Sequence, residues 1–201
     1  LLMFSKAAYF RLFELHNLAL WPGQLLALAA GIALFGCLWL GGARAGRSAA
    51  LLLAIAWLYV AWGYFAQRYA TINTAAPFFA LGFAAQAVLL LWLASRRQAP
   101  RLTDAIALVA LVVYPLLAPL GGRPWTQAEL FGLAPDPTVA LTLGALLLWR
   151  AHWLLWILPL LWCALSSATL MELRSGQAWV LPLSALLAAG AWWLASTRAH
   201  K

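Results

Sequence analysis

Polar positions in this chain come as short interruptions between long apolar runs. Seven runs follow one another, at about 18–40, 48–67, 73–95, 103–121, 137–150, 152–171 and 178–196. Six have the roughly 20 residues that a helix needs to cross about 30 Å of hydrocarbon. The pattern therefore predicts an all-α, polytopic transmembrane helix bundle of about seven spans. The fifth run is short: from Pro137 to Trp149 it reaches only about 20 Å at helical rise, so it needs local thinning or snorkelling by Arg150. A re-entrant half-helix is the alternative. Ser48, Asp104 and Asp136 stand where helix N-caps are wanted, and Pro137 suits a first turn.

Ahead of the first run, residues 4–17 mix aromatics with Lys6, Arg11 and Glu14, and Ser5 can cap a helix start. This pattern predicts an interfacial amphipathic helix within 1–17, with Tyr9, Phe10 and Phe13 dipping into the headgroup boundary. Residues 18–201 then form a single transmembrane domain. The longest connection, 122–136, holds Thr126 and Glu129 at capping-box spacing, which predicts a short surface helix. The first twenty residues lack a charged start, apolar core and small-residue cleavage site, so no removable signal peptide is expected.

Composition strengthens the membrane reading. Hydrophobic residues make up 66% of the chain and charged residues only 9%, too few ionic groups to cover a water-facing surface. The net charge of +8 comes from Lys and Arg placed singly or in pairs between apolar runs, a membrane-topology signal and not a contiguous nucleic-acid face. With seven spans, Arg44, Arg47, Arg96, Arg97, Arg101, Arg150, Arg198 and Lys201 share one side. Lys6, Arg11, Arg68, Arg123 and Arg174 share the other. The excess puts the carboxyl terminus in the cytoplasm and the amino-terminal helix outside.

Candidate chemistry is sparse. Every Asp, Glu, Lys and Arg falls near an expected helix end or in a loop, where snorkelling or water suffices, so proton pumping and voltage sensing are not expected. Cys37 and Cys163 lie inside apolar runs and read as small buried hydrophobes. His16 and His152 fall on opposite faces and cannot share a metal or haem, and a solvated role is expected for the three histidines. No nucleophile–base pair, phosphate-cradling Gly loop or metal-ligand cluster stands out, so no enzyme, catalytic residue or metal site is expected. What remains are uncharged polar groups within the spans: Gln24, Asn73, Gln86, Ser166 and Ser167. Gln86, near mid-span, must find a hydrogen-bond partner, and a bond to a neighbouring helix is the expected one. Among the thirteen tryptophans, Trp57, Trp62, Trp156 and Trp162 fall deep enough to meet a partner, a lipid or a pigment.

Several segments carry a likeness. His16-Asn17 leading to Trp21-Pro22-Gly23-Gln24, Tyr64-Phe65 before Ile72-Asn73-Thr74-Ala75-Ala76, Gly132 through Thr138, and Pro159-Leu160-Leu161-Trp162 together resemble a bacterial family of multi-pass membrane proteins of unknown function. Asp136 stands where that likeness leads one to expect a small or Cys-like residue. The resemblance implies a fold and no activity.

With so little buried charge expected, the favoured role is an accessory or scaffold subunit that associates with other membrane proteins, membrane lipids or hydrophobic cofactors in a larger assembly. No cofactor of the chain's own is expected, although a bound lipid or a partner-supplied cofactor fits. The alternative is a transporter or channel for a small neutral or apolar solute. The topology has a direct check: a cysteine at position 127 should label from the periplasm, and one at position 98 only after permeabilisation. Labelling of both from one side would overturn it.

Overall fold

Helices form the fold of the computed structural model, which describes residues 4–94 and 105–198, with no strand among them. They are α1 (Lys6–Leu20), α2 (Gly23–Leu40), α3 (Gly42–Tyr59), α4 (Ala76–Ala94), α5 (Ala105–Leu120), α6 (Pro135–Leu148), α7 (Leu154–Glu172) and α8 (Val180–Arg198). A π-helical stretch, Val60–Ala66, prolongs α3. Among the described residues, four stretches are long and apolar enough to cross a membrane: Gly23–Leu40, Gly42–Thr71, Ala76–Ala94 and Leu154–Glu172. Pro135–Leu148 and the segment Gly176–Gly190 are apolar but shorter, so four spans meet this criterion against the seven expected. Asp104, His200 and the charges at Arg96, Arg97, Arg101 and Lys201 lie outside the described residues.

The helix starts differ from expectation in two places. Ser48 is not a cap, because Gly41, at φ 68°, turns the chain so tightly that α3 begins at Gly42. Such a left-handed backbone suits a residue without Cβ. Asp136 is not a cap either: Ala134 holds the cap position, Pro135 fills the first turn, and the Asp136 side chain points inward.

The short helix α6 is the centre of the molecule. Along its 14 residues all but Leu147 are buried, between α3, α5, α7 and α8. Its length, about 21 Å, therefore poses no mismatch with lipid, because protein and not hydrocarbon surrounds it. Helices α2, α3 and α4, with the π-helical tail, carry exposed apolar side chains that include Leu26, Ile32, Ile55, Trp62, Phe78 and Leu81.

Helix α1 does not lie loosely on the surface with its rings in lipid. Tyr9, Phe10 and Phe13 are buried in the protein, and Phe13 stacks on Tyr64 at 5.1 Å between ring centroids. Tyr9 meets Tyr69 edge-on at 6.2 Å. Burying these rings against protein gains area and ring–ring contacts that a headgroup layer would not provide. Asn17 adds a polar tie, donating to the carbonyls of Thr126 (2.8 Å) and Ala128 (2.9 Å). Only Lys6, Arg11 and a narrow apolar edge that includes Leu15 and Leu18 face outward.

Helices α6 and α7 stop in the same way. Arg150 and Arg174 take left-handed backbone at φ 47° and 50°. The amides that follow reach back: Ala151 to Leu146 O (3.0 Å) and Ser175 to Leu170 O (2.9 Å). This is the Schellman arrangement, with arginine where glycine is usual. The cation lies at the negative end of the helix dipole, which offsets part of the backbone cost.

His16, expected to be solvated, is buried with Nε2 unpartnered, beside the Tyr59 and Tyr64 rings. Burial, and after it the Arg68 charge, lowers its pKa to about 4. An unfolded histidine titrates near ~6.5. Between these values the unfolded chain takes up a proton that the folded chain refuses. Stability should thus fall as pH drops below about 6.5, by about 2 kcal/mol at pH about 5, and level off below about 4. Thermal unfolding in detergent at pH about 7 and about 5 measures this, and His16→Gln should remove that part of the fall. An unchanged slope in the variant would assign the loss to another group.

Candidate functional site

The first turn of α6 brings a carboxyl into the interior, and the loop before it brings a second. Asp136 and Glu129 are each 1% exposed. Asp136 follows Pro135, whose missing amide costs nothing in a first turn, and the N-terminal end of α6 favours a negative charge there. Its Oδ1 accepts from Trp162 Nε1 at 2.8 Å, and Ser166 Oγ lies 2.9 Å from Oδ1 and 2.8 Å from Oδ2. Trp162 and Ser166 stand one turn apart on α7, so one helix face supplies both donors. The Trp162 ring is held by Phe65, Phe79 and Phe83 at centroid distances of 5.1, 5.6 and 5.2 Å.

Glu129 is answered less completely. Gln177 Nε2 donates to its Oε1 at 2.8 Å, while Oε2 has no partner. Arg123 Nη2 lies 3.9 Å from Oε1 but donates to Gln177 Oε1 at 2.6 Å, with its guanidinium 3.7 Å over the Phe10 ring. Burial, and then the Asp136 charge, pushes the Glu129 carboxyl up to about 8, against the opposing pull of Gln177 and Arg123. The expectation that every charged side chain has a helix end or water at hand therefore fails here. The expected capping box at Thr126 and Glu129 fails with it: only a short 3-10 turn, Trp125–Gln127, forms, and Glu129 turns inward.

Below the carboxyls, α6 carries Thr138 and Thr142. Thr138 Oγ1 donates to Ala134 O (2.7 Å) and accepts from Gly132 N (2.9 Å). Thr142 Oγ1 donates to Thr138 O (2.7 Å) and accepts from Trp57 Nε1 (2.8 Å). Each hydroxyl is thus both donor and acceptor, and neither leaves a bonding capacity exposed to an apolar neighbour.

The five polar groups singled out in the spans do not converge. Gln24 donates to Asn17 O, and Asn73 Oδ1 accepts from Ala75 N at 2.9 Å at the entry to α4. Ser167 donates to Cys163 O, one turn back on its own helix. Ser166 alone reaches the carboxyls. Gln86, fully buried, donates to Leu155 O at 3.0 Å, the bond to a neighbouring helix that was expected. Its target has a reason: residue 159, four positions on, is proline, so Leu155 O lacks its normal intrahelical donor, and the Gln86 amide takes that place.

Sequence reasoning missed Glu129, Asp136 and their partners Trp162, Gln177 and Arg123. One signal was there to find them. The stretch Ala128-Glu129-Leu130-Phe131-Gly132-Leu133-Ala134 is apolar around its single charge, a composition that fits a buried connection better than a wet loop. Among the described residues no group of three or more His, Cys, Asp or Glu side chains is placed to hold a metal.

Replacing Gln86 with leucine removes the donor from Leu155 O while keeping the side chain's bulk. The expected loss is about 1–2 kcal/mol with the fold intact. Unfolding of the detergent-solubilised variant measures it, and a loss above that range would reveal a wider network.

Two further comparisons, with curated proteins and with solved structures, find no match. One family does match, over nearly the whole helical chain, as the aromatic amino-terminal helix and the Pro135–Thr138 entry to α6 anticipate. The protein belongs to the family of unknown function DUF6064, matched over residues 6–198.

Proposed function

We propose that this protein is an accessory subunit of a larger membrane assembly, acting by association through its apolar outer surface. It would reside in a bacterial inner membrane with α2 to α8 embedded, the amino-terminal helix periplasmic and the carboxyl terminus cytoplasmic. The observation that carries this reading is where the mid-span polar groups go. Gln86 and Ser167 donate to backbone carbonyls and Ser166 to Asp136, which supports a packing role over contact with a solute. A transporter for a neutral solute needs such groups turned toward a cavity.

The outside offers what the inside does not. A cleft of about 440 Å³ opens between α2 and α3, lined by Leu26, Ala27, Ala30, Leu52, Ile55 and Tyr59 among others. A second, of about 240 Å³, lies between α7 and α8 and is walled by Trp153, Trp156, Leu160 and Ala189. Of the four deep tryptophans, Trp57 and Trp162 are buried and spent on Thr142 and Asp136. Trp62 is 65% exposed and Trp156 half-buried at the second cleft, so these two are the ones available to a partner helix or a hydrophobic cofactor. Apolar clefts with few polar groups suit shape-based packing, the kind of contact that holds helices together in lipid.

Gentle extraction of the native membrane followed by native mass measurement should recover the chain with a protein or hydrophobic cofactor bound. Replacing Trp62 and Trp156 with alanine should weaken that retention. A bare chain that moves a solute by itself in proteoliposomes would overturn the reading in favour of transport.

A further inference from the structure

Around the head of α6 the two carboxyls are treated unequally. Asp136 has donors from Trp162 and Ser166 for both oxygens. Glu129 has one donor, on Oε1, and its other oxygen has none, although the residue is as deeply buried. Two further polar atoms in the same region are unpartnered: the hydroxyls of Tyr64 and Tyr114, whose residues are 1% and 2% exposed. Both tyrosines lie within electrostatic reach of both carboxyls.

A carboxylate with both oxygens supplied with donors is satisfied as an anion. A buried carboxyl with an oxygen that no donor answers is better tolerated as the neutral acid, because an unanswered buried charge is the costlier state. Charge leads to the same assignment. The groups that face Glu129 are Asp136 from α6, Arg123 from the preceding loop, Tyr9 from α1, Tyr64 from the π-helical tail of α3 and Tyr114 from α5. Arg123 is the single cation among them, and its guanidinium is committed to Gln177. Two full negative charges would be undercompensated there.

The site is also connected to the surface. From Glu129, a chain of polar contacts runs through Gln177 to Arg123, on to the carbonyl of Gln127 (3.4 Å), and by the Gln127 side chain to Glu14 (3.1 Å). Glu14 pairs with Arg11 at the rim of an open cleft of about 770 Å³, whose walls include Lys6, Phe10, Arg11, Arg123 and Gln127.

We propose that Glu129 and Asp136 form a buried proton-binding site, in which one proton is carried on Glu129 Oε2 and exchanges with the aqueous face bearing α1 through the cleft over Arg123. Asp136, with donors on both oxygens, is the fixed anion of the pair. The proposal adds to the association reading and does not depend on it, since a partner could be absent and the site still bind its proton. Burial and the Asp136 charge together put release near pH 8. As pH rises through that value, the proton leaves toward α1 and the cluster gains a second negative charge.

Dicyclohexylcarbodiimide tests this on the full chain in detergent, because it reacts with the acid and not with the carboxylate. The carboxyl proton passes to one carbodiimide nitrogen and the carboxyl oxygen adds to the central carbon. Acyl migration then leaves a stable N-acylurea, which peptide mass measurement locates. Label should appear on Glu129 at pH about 6 and fall to about a tenth of that level at pH about 9, following the protonated fraction. It should be absent from Glu129→Gln. In Asp136→Asn, with the neighbouring charge gone, the midpoint should move to lower pH. Infrared titration of the unmodified protein gives a second reading that needs no variant to fold: a protonated-carboxyl band present at pH about 6 and lost by about 10. No label on Glu129 together with no such band at pH about 6 would overturn the proposal. A midpoint unchanged in a folded Asp136→Asn protein would overturn the pairing.

Discussion

A helix with no face left for lipid or water can carry a polar group only if the protein answers it, and α6 is such a helix. That constraint organises its neighbours. Asp136 requires Trp162 and Ser166, which fixes how α7 is rotated against α6. Thr142 requires the Trp57 indole, which fixes the rotation of α3. Trp162 is then wedged among Phe65, Phe79 and Phe83, so the rings of the α3 tail and of α4 are set by the same bond. In lipid the hydrophobic effect does little to orient one helix against another, and directional bonds of this kind, with close packing, take over.

The helical plan was legible because it depends on run length and on sparse charge. The runs at 73–95 and 152–171, for example, became α4 and α7 with ends shifted by a few residues. Gln86 was legible too, since an amide in an apolar run must bond to something. What a one-dimensional pattern could not carry was which run ends up inside the others. The 137–150 run is shorter than its neighbours and no more apolar, and only packing reveals that its shortness goes with enclosure. Once α6 is central, the loop leading to it is central as well, and a charge that seemed to lie at a wet helix end becomes a buried one.

The same limit explains the amino-terminal segment. Amphipathic spacing identified the ring-bearing face of α1 but not what it meets. A headgroup layer and a tyrosine-rich protein surface reward the same residues, and Tyr64 and Tyr69, more than forty positions away, decide between them. Proline shows the reverse case, in which a local rule has a distant consequence. Pro159 leaves a carbonyl on α7 without a donor, and the answer lies on α4.

The two left-handed arginines have a meaning of their own when taken together. Arg150 stands just before α7 and Arg174 just after it, both exposed, so the 19 residues of Leu154–Glu172 lie between two fixed cations. At helical rise that interval is about 28 Å, a few ångströms under an average hydrocarbon layer. Arg174 stops α7 itself, while Arg150 stops α6 and stands just before the turn into α7. The apolar length between them suits one crossing, and a thicker layer would have to thin around it at a cost of fractions of a kcal/mol per Å. Two residues that first serve to end helices thereby also bracket an apolar stretch of one span's length.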